Sequence, residues 1–216
     1  MKNKNNQKNI IIFITLLLIS FFYTILVKYF DVNAIGPNNS AVGFSKLNLY
    51  FKNIIGSNMI IYKISEIFGF LLLFLMFIYG CIGLYQLIKR KSIIKVDKQI
   101  IILGCFYIVI LLVYIFFEKV VINYRPIIID NELEASYPSS HTMLALCIGI
   151  SSLIVSKKYF NKKYIKVINI ITIALMLIVL IGRIISGVHW ISDIIGGIII
   201  SFTLISLFKI VYYWKV

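Results

Sequence analysis

The chain has 216 residues, of which 61% are hydrophobic and 14% charged, and its mean hydropathy is +0.97. That composition excludes an ordinary soluble domain and points to an integral membrane protein. The formal charge of +14 is gathered in short stretches between apolar segments, a pattern expected of membrane topology and not of a nucleic-acid partner.

Stretches of about 18 or more apolar residues are long enough to cross a bilayer core of about 30 Å. A basic segment, Met1 to Asn9, leads into the first, Ile10 to Val27; no small-residue cleavage site follows, so it reads as a retained span. Phe44 to Ile55 mixes apolar residues with Lys46 and Lys52, which suits either a short interfacial helix or an apolar loop packed over the bundle. The second span, Ile67 to Ile88, follows Lys63 and Glu66, which are spaced to pair at headgroup level. Ile100 to Phe117 is the third. A short stretch, Thr142 to Ser156, is the fourth, and Val167 to Ile185, with Arg183 near its end, is the fifth. Trp190 to Trp214 is the last, with Tyr212, Tyr213 and Trp214 at its edge, as aromatic belts commonly stand. No connection is long enough for a second domain. The expected fold class is therefore all-α: a polytopic membrane helical bundle of about six transmembrane helices, forming one domain over residues 1–216. Cys81, Cys105 and Cys147 fall inside spans with no paired spacing and read as packing residues.

Six spans put three basic stretches on one side: Lys2, Lys4 and Lys8; Lys89 to Lys98; and Lys157 to Lys166. The positive-inside rule assigns that side, with both termini, to the cytoplasm. The other side receives the loops 28–59 and 118–140 and the turn Ser186 to Val188, so His141 and His189, the two histidines of the chain, both face outward.

Ionisable groups near a membrane core are costly unless they are paired or line a wet cavity. His189 and Asp193 are four residues apart. If Trp190 opens a helix they share a face, and Asp193 accepts from one ring nitrogen of His189, leaving the other as nucleophile or base. A salt-bridged helix start without chemistry fits the same spacing. Arg183 and Arg125 each offer a guanidinium fork for phosphate oxygens, although a headgroup contact would also explain Arg125. Pro138-Ser139-Ser140-His141 opens a span with capping serines and free backbone N–H groups, an anion cradle beside a possible general acid, His141.

These fragments resemble the type 2 phosphatidic acid phosphatase family, related to soluble acid phosphatases and vanadium-dependent haloperoxidases. The family pattern runs Lys, six residues, Arg-Pro; Pro-Ser-x-His; and Ser-Arg, five residues, His, three residues, Asp. Pro138, Ser139 and His141 match the second part, with Ser140 where glycine is common; Arg183, His189 and Asp193 match the third, with Gly182 for its serine. In the first part Arg125-Pro126 matches, but Glu118 stands at the lysine position and Lys119 is one residue too close. The resemblance spans roughly Glu118 to Gly197.

The resemblance implies catalysis without a metal or other cofactor. His189 would form a phosphohistidine, Asp193 would hold its ring, and His141 would protonate the leaving oxygen and then activate water. Arg125, Arg183, Ser139, Ser140 and, if the segment rearranges, Lys119 would bind the phosphate. An active site at the outer membrane face would receive a lipid phosphate from the bilayer, such as undecaprenyl diphosphate, phosphatidic acid or phosphatidylglycerol phosphate. Two other readings remain: Mg²⁺ held by Asp130, Glu132 and Glu134, or a non-catalytic lipid-phosphate binding or transport protein, for which Glu118 is the argument. No oligomeric state is specified.

Overall fold

The computed structural model describes residues 2–215, with side chains from Gln7 to Trp214. The side chains of Lys2 and Lys4, counted above in the first basic stretch, lie outside the described residues. Seven α-helices follow one another: α1 (Lys2–Tyr29), α2 (Ser45–Ile55), α3 (Met59–Arg90), α4 (Lys98–Lys119), α5 (Ser140–Tyr159), α6 (Lys162–Ile185) and α7 (Ile191–Lys215). All but α2 are long and apolar enough to span a membrane. The protein is a multi-pass helical bundle.

Two helices form its interior. In the most apolar stretches of α5 and α7, 61% of residues are buried, against 11–22% for the other spans. This explains why the fourth span looked short. A helix enclosed by others need not match lipid, so α5 tolerates Thr142, Ser151, Ser152 and Ser156 at buried positions. Small and hydroxylated residues also let helices approach and bond within a membrane: Ser20 Oγ lies 2.7 Å from Thr203 Oγ1 between α1 and α7, and Tyr79 Oη 3.1 Å from Ser152 Oγ between α3 and α5.

Two expectations at the second span need correction. α3 begins at Met59, about two turns before the expected Ile67, because Asn58 caps it by accepting from Ile60 N and Ile61 N at 3.0 and 3.1 Å. Glu66 then turns into the bundle, 4.0 Å from Arg183 Nη2, and no ion pair joins it to Lys63.

Within the 44–55 segment Ser45–Ile55 form a helix, and two of its polar residues, Ser45 and Asn48, face inward. Asn48 is buried, donates from Nδ2 to Gly43 O (2.7 Å) and Ser192 Oγ (2.9 Å), and accepts from Ser192 N at 3.2 Å. Tyr50 and Ile54 point outward. Lys52 Nζ donates to Gly187 O at 3.0 Å, and Asn58 N to Ser186 O at 2.9 Å, so α2 and the start of α3 clasp the turn joining α6 to α7.

Gly187 makes this clasp possible. Its φ is +61°, and a Cβ there would lie 1.9 Å from Gly56 O. Gly187→Ala should therefore destabilise the purified protein by about 1–3 kcal/mol or more. Gly80→Ala, on α3 with open space around its Cβ, should leave thermal unfolding in the same detergent unchanged or slightly improved. Equal melting of both variants would refute this account of the turn.

Candidate active site

His189 lies in the turn before α7 and is 6% exposed. Its Nδ1 is 3.1 Å from the carbonyl oxygen of Ser136. A carbonyl only accepts, so Nδ1 carries the proton and Nε2 presents its lone pair. Nε2 is buried and has no hydrogen-bond partner within the protein. Burial foremost, then the nearby Arg125, Arg183 and His141, hold the imidazole pKa well below its ordinary 6.5. At neutral pH the ring is uncharged and nucleophilic at one atom.

Asp193 does not take the expected hydrogen bond from this ring. α7 starts at Ile191, so His189 precedes the helix and the four-residue rule does not relate the two side chains. The Asp193 carboxylate instead folds back on its own helix start: Oδ2 accepts from Trp190 N at 3.0 Å, and Oδ1 from Asn123 Nδ2 at 3.1 Å. Asn123, fully enclosed, also accepts from Ser136 N through its backbone oxygen at 2.9 Å. Asp193 thus reaches His189 indirectly, through Asn123 and Ser136. An asparagine in a loop with no motif around it carries no sequence signal for this role.

The same loop is pinned to α7 elsewhere. Trp190 Nε1 donates to Tyr124 O at 2.7 Å, and Ser139 N to Asp193 O at 3.0 Å. Tyr137 packs against Gly196 so closely that a Cβ there would sit 2.3 Å from its ring, while its hydroxyl lies 2.7 Å from Thr24 Oγ1 of α1.

Both arginines converge on this region. Arg183 is completely buried, and none of its guanidinium nitrogens has a hydrogen-bond partner within the protein. Its surroundings are Glu66 at 4.0 Å and the face of Tyr62, 4.7 Å from the guanidinium carbon. Gly182 brings α6 close to α3, where a Cβ would meet Ser65 Cβ at 2.6 Å. Arg125 lies 5.9 Å from the same Tyr62 ring. Its Nε is 2.9 Å from Glu134 Oε2, a close ion pair whose angle falls short of a hydrogen bond's, and Nη1 is buried and unpartnered. Tyr62, unnoticed in the sequence because a tyrosine at a span edge reads as a belt residue, is the shared cation–π platform.

α5 supplies the anion cradle. Its first backbone bond runs from Met143 N to Ser139 O at 3.0 Å, so the N–H groups of Ser140, His141 and Thr142 precede the helical ladder. Ser139 itself is turned away: its hydroxyl lies 3.0 Å from Thr142 Oγ1, and its N–H is used by Asp193. Ser140 and His189 line one cavity of about 10 Å³, together with Glu118. Lys119 does not line it and is exposed at the end of α4; an unbroken helix through both residues turns Glu118 and not Lys119 toward the site. His141, with Nδ1 buried and unpartnered, borders a second cavity of about 40 Å³ with Glu66 and Gly69. Glu134, one of three carboxylates considered for Mg²⁺, is turned to Arg125.

A profile of the PAP2 superfamily matches residues 116–216, the stretch that holds both histidines, both arginines and Asp193. This stretch is similar to the PAP2 superfamily. The chain is also similar to phosphatidylglycerophosphatase B of Bacillus subtilis (strain 168), at 32% identity over 94 residues, which make up 43% of this chain and 45% of that protein. The chain thus spans about half the length of the curated relative it matches. Its fold is similar to the crystal structure of a transmembrane PAP2-type phosphatidylglycerolphosphate phosphatase from Bacillus subtilis, with a TM-score of 0.60 at 20% identity, over 91% of this chain and 94% of that one.

The protonation of His189 is directly testable. In a His141→Gln variant the single remaining imidazole should keep the ¹⁵N signature of a neutral, Nδ1-protonated ring well below its ordinary titration range; titration near 6.5 would contradict the buried geometry. The sign for stability follows. Below about pH 6.5 the unfolded chain takes up a proton that folded His189 does not, so this residue's contribution is full above that pH and is lost as pH falls toward its folded pKa.

Proposed function

We propose that the protein is a metal-independent phosphatase acting on membrane lipid phosphates or diphosphates through a phosphohistidine on His189, in one domain over residues 1–216. The observation that carries this reading is the free, buried Nε2 of a neutral imidazole beside two guanidinium groups with unpartnered N–H donors. A neutral nucleophile beside fixed positive charge suits attack on an anionic phosphorus centre, and donors fixed before charge develops need no reorganisation.

In this mechanism Nε2 forms a bond to phosphorus as the bond to the leaving oxygen breaks, and His141 donates the proton that oxygen needs. A water then gives its proton to His141 and attacks phosphorus, the P–N bond breaks, and inorganic phosphate leaves. Arg125, Arg183 and the N–H groups at Ser140 stabilise the equatorial oxygens. Asp193 acts as a positioning residue through Asn123 and Ser136. Ser139 and Lys119 have no direct part in this version, because the first is tied to Thr142 and Asp193 and the second lies off the cavity.

The substrate we infer is a phosphorylated lipid of the outer leaflet. The relative and the solved structure name phosphatidylglycerol phosphate as the substrate of those proteins, and undecaprenyl diphosphate and phosphatidic acid carry the same reacting group. The basic stretches, at the opposite ends of the spans from the histidines, support the outward orientation and cytoplasmic termini.

A binding protein without turnover is the second reading, favoured by Glu118 on the cavity of His189. Phosphate release from a panel of these three lipids by purified protein separates the two. Turnover should be abolished in His189→Ala, fall about 10²–10⁴-fold in His141→Ala, and fall about 10²–10³-fold in Arg183→Ala. Wild type releasing no more phosphate than His189→Ala on every lipid would establish the binding reading.

A further inference from the structure

At the end of the bundle opposite the histidines, α5 and α7 together line a cavity of about 490 Å³. Its floor is apolar, made by Ile150, Leu153 and Ile154 of α5. Lys157 and Lys158 of α5 and Lys209 of α7 form its rim, and Tyr212 and Tyr213 wall it on the α7 side. No acidic residue lines it. Lys158 lies 3.4 Å from Asp97, a carboxylate it shares with Arg90, whereas among the described residues neither Lys157 nor Lys209 has a carboxylate within ion-pair distance.

We propose that this groove is a binding site for an anionic phospholipid of the leaflet on the lysine-rich side. Two exposed lysines without acidic partners, from two different helices, face one volume, and charge complementarity favours an anion there. The floor selects the kind of anion. A free phosphate gains nothing from Ile150, Leu153 and Ile154, while a lipid can lay an acyl chain on them with its headgroup at the lysines and the tyrosine edges. The groove lies where the last turns of two spans meet the headgroup region, so the ligand reaches it without leaving its leaflet. A lipid seated there would bridge α5 and α7, the two inner helices that carry His141 and Asp193 at their other ends. The inference does not depend on catalysis.

Native mass spectrometry of the full chain, titrated with phosphatidylglycerol and with phosphatidylcholine of the same acyl chains, tests it. The wild type should retain phosphatidylglycerol at least tenfold more tightly. At about fivefold per lysine near an anionic headgroup, Lys157→Gln/Lys209→Gln should weaken it about 25-fold, toward the phosphatidylcholine level. The charge-matched control Lys162→Gln/Lys166→Gln, on the same side of the bundle, should bind as the wild type does. Leu153→Trp, which fills the floor and leaves every charge in place, should also lose phosphatidylglycerol. Equal retention of both lipids by the wild type, an equal loss in the control, or undiminished binding in Leu153→Trp would each overturn the proposal.

Discussion

A guanidinium without solvent exposure, in a bundle built to exclude water, is the constraint on which this structure turns. Burying an unpaired charge costs several kcal/mol after relaxation, and Arg183 meets only a carboxylate oxygen at 4.0 Å and an aromatic face. Neither satisfies its fork of donors. The surroundings are nevertheless organised around it: α6 reaches α3 closely through Gly182, Tyr62 offers its ring to both arginines, and Glu66 turns inward from an extended α3. Under the proposed function the missing partner of this charge is the substrate's phosphate, received from outside. Burial foremost, and then the same two guanidinium charges, keep His189 unprotonated, so under the proposed function the pair of arginines would both attract the substrate and help preserve the nucleophile.

Holding such a site requires that an irregular loop behave as rigidly as a helix. The 120–139 segment achieves this by spending its polar groups on the first turn of α7. Asn123 and Ser139 bind the two ends of Asp193, its carboxylate and its carbonyl, while Trp190 reaches back to Tyr124. Asn48 of α2 repeats the device from the other side through Ser192. Buried asparagines and a buried aspartate would be expensive in an apolar bundle, but here each finds complementary partners. Positioning of the reactive ring is therefore distributed over three segments far apart in sequence.

The bundle was legible in the sequence because lipid-facing helices must be apolar along their length, and hydropathy reports that directly. It under-reports α5, whose serines point inward, and truncates α3, where Lys63 and Glu66 interrupt the apolar run. The motif residues Arg125, His141, Arg183 and His189 were recognisable by spacing and lie within electrostatic reach of one another, although His141 and His189 border different cavities. Side-chain partners were less legible. The expected Asp193–His189 bond presumed that Trp190 opens the last helix, and in the structure that helix starts one residue later, with His189 in the preceding turn. Asn123 and Tyr62 gave no signal, since each is an ordinary residue type whose role depends on tertiary contacts, and Lys52 stood out only as one cation of an apolar segment. The ambiguity between Glu118 and Lys119 is resolved in geometry: the glutamate lines the cavity, giving its mouth a negative element whose effect depends on the substrate's headgroup.

The central claim is that His189 forms a bond to phosphorus through Nε2. The most direct measurement is intact-protein and peptide mass spectrometry after rapid alkaline quench of the enzyme turning over a lipid phosphate, with His141→Ala used to slow hydrolysis of the intermediate. The account predicts one acid-labile, alkali-stable phosphoryl group, mapped to His189 and absent in His189→Ala. Turnover at full rate with phosphate on no residue, or on any residue other than His189, would contradict it.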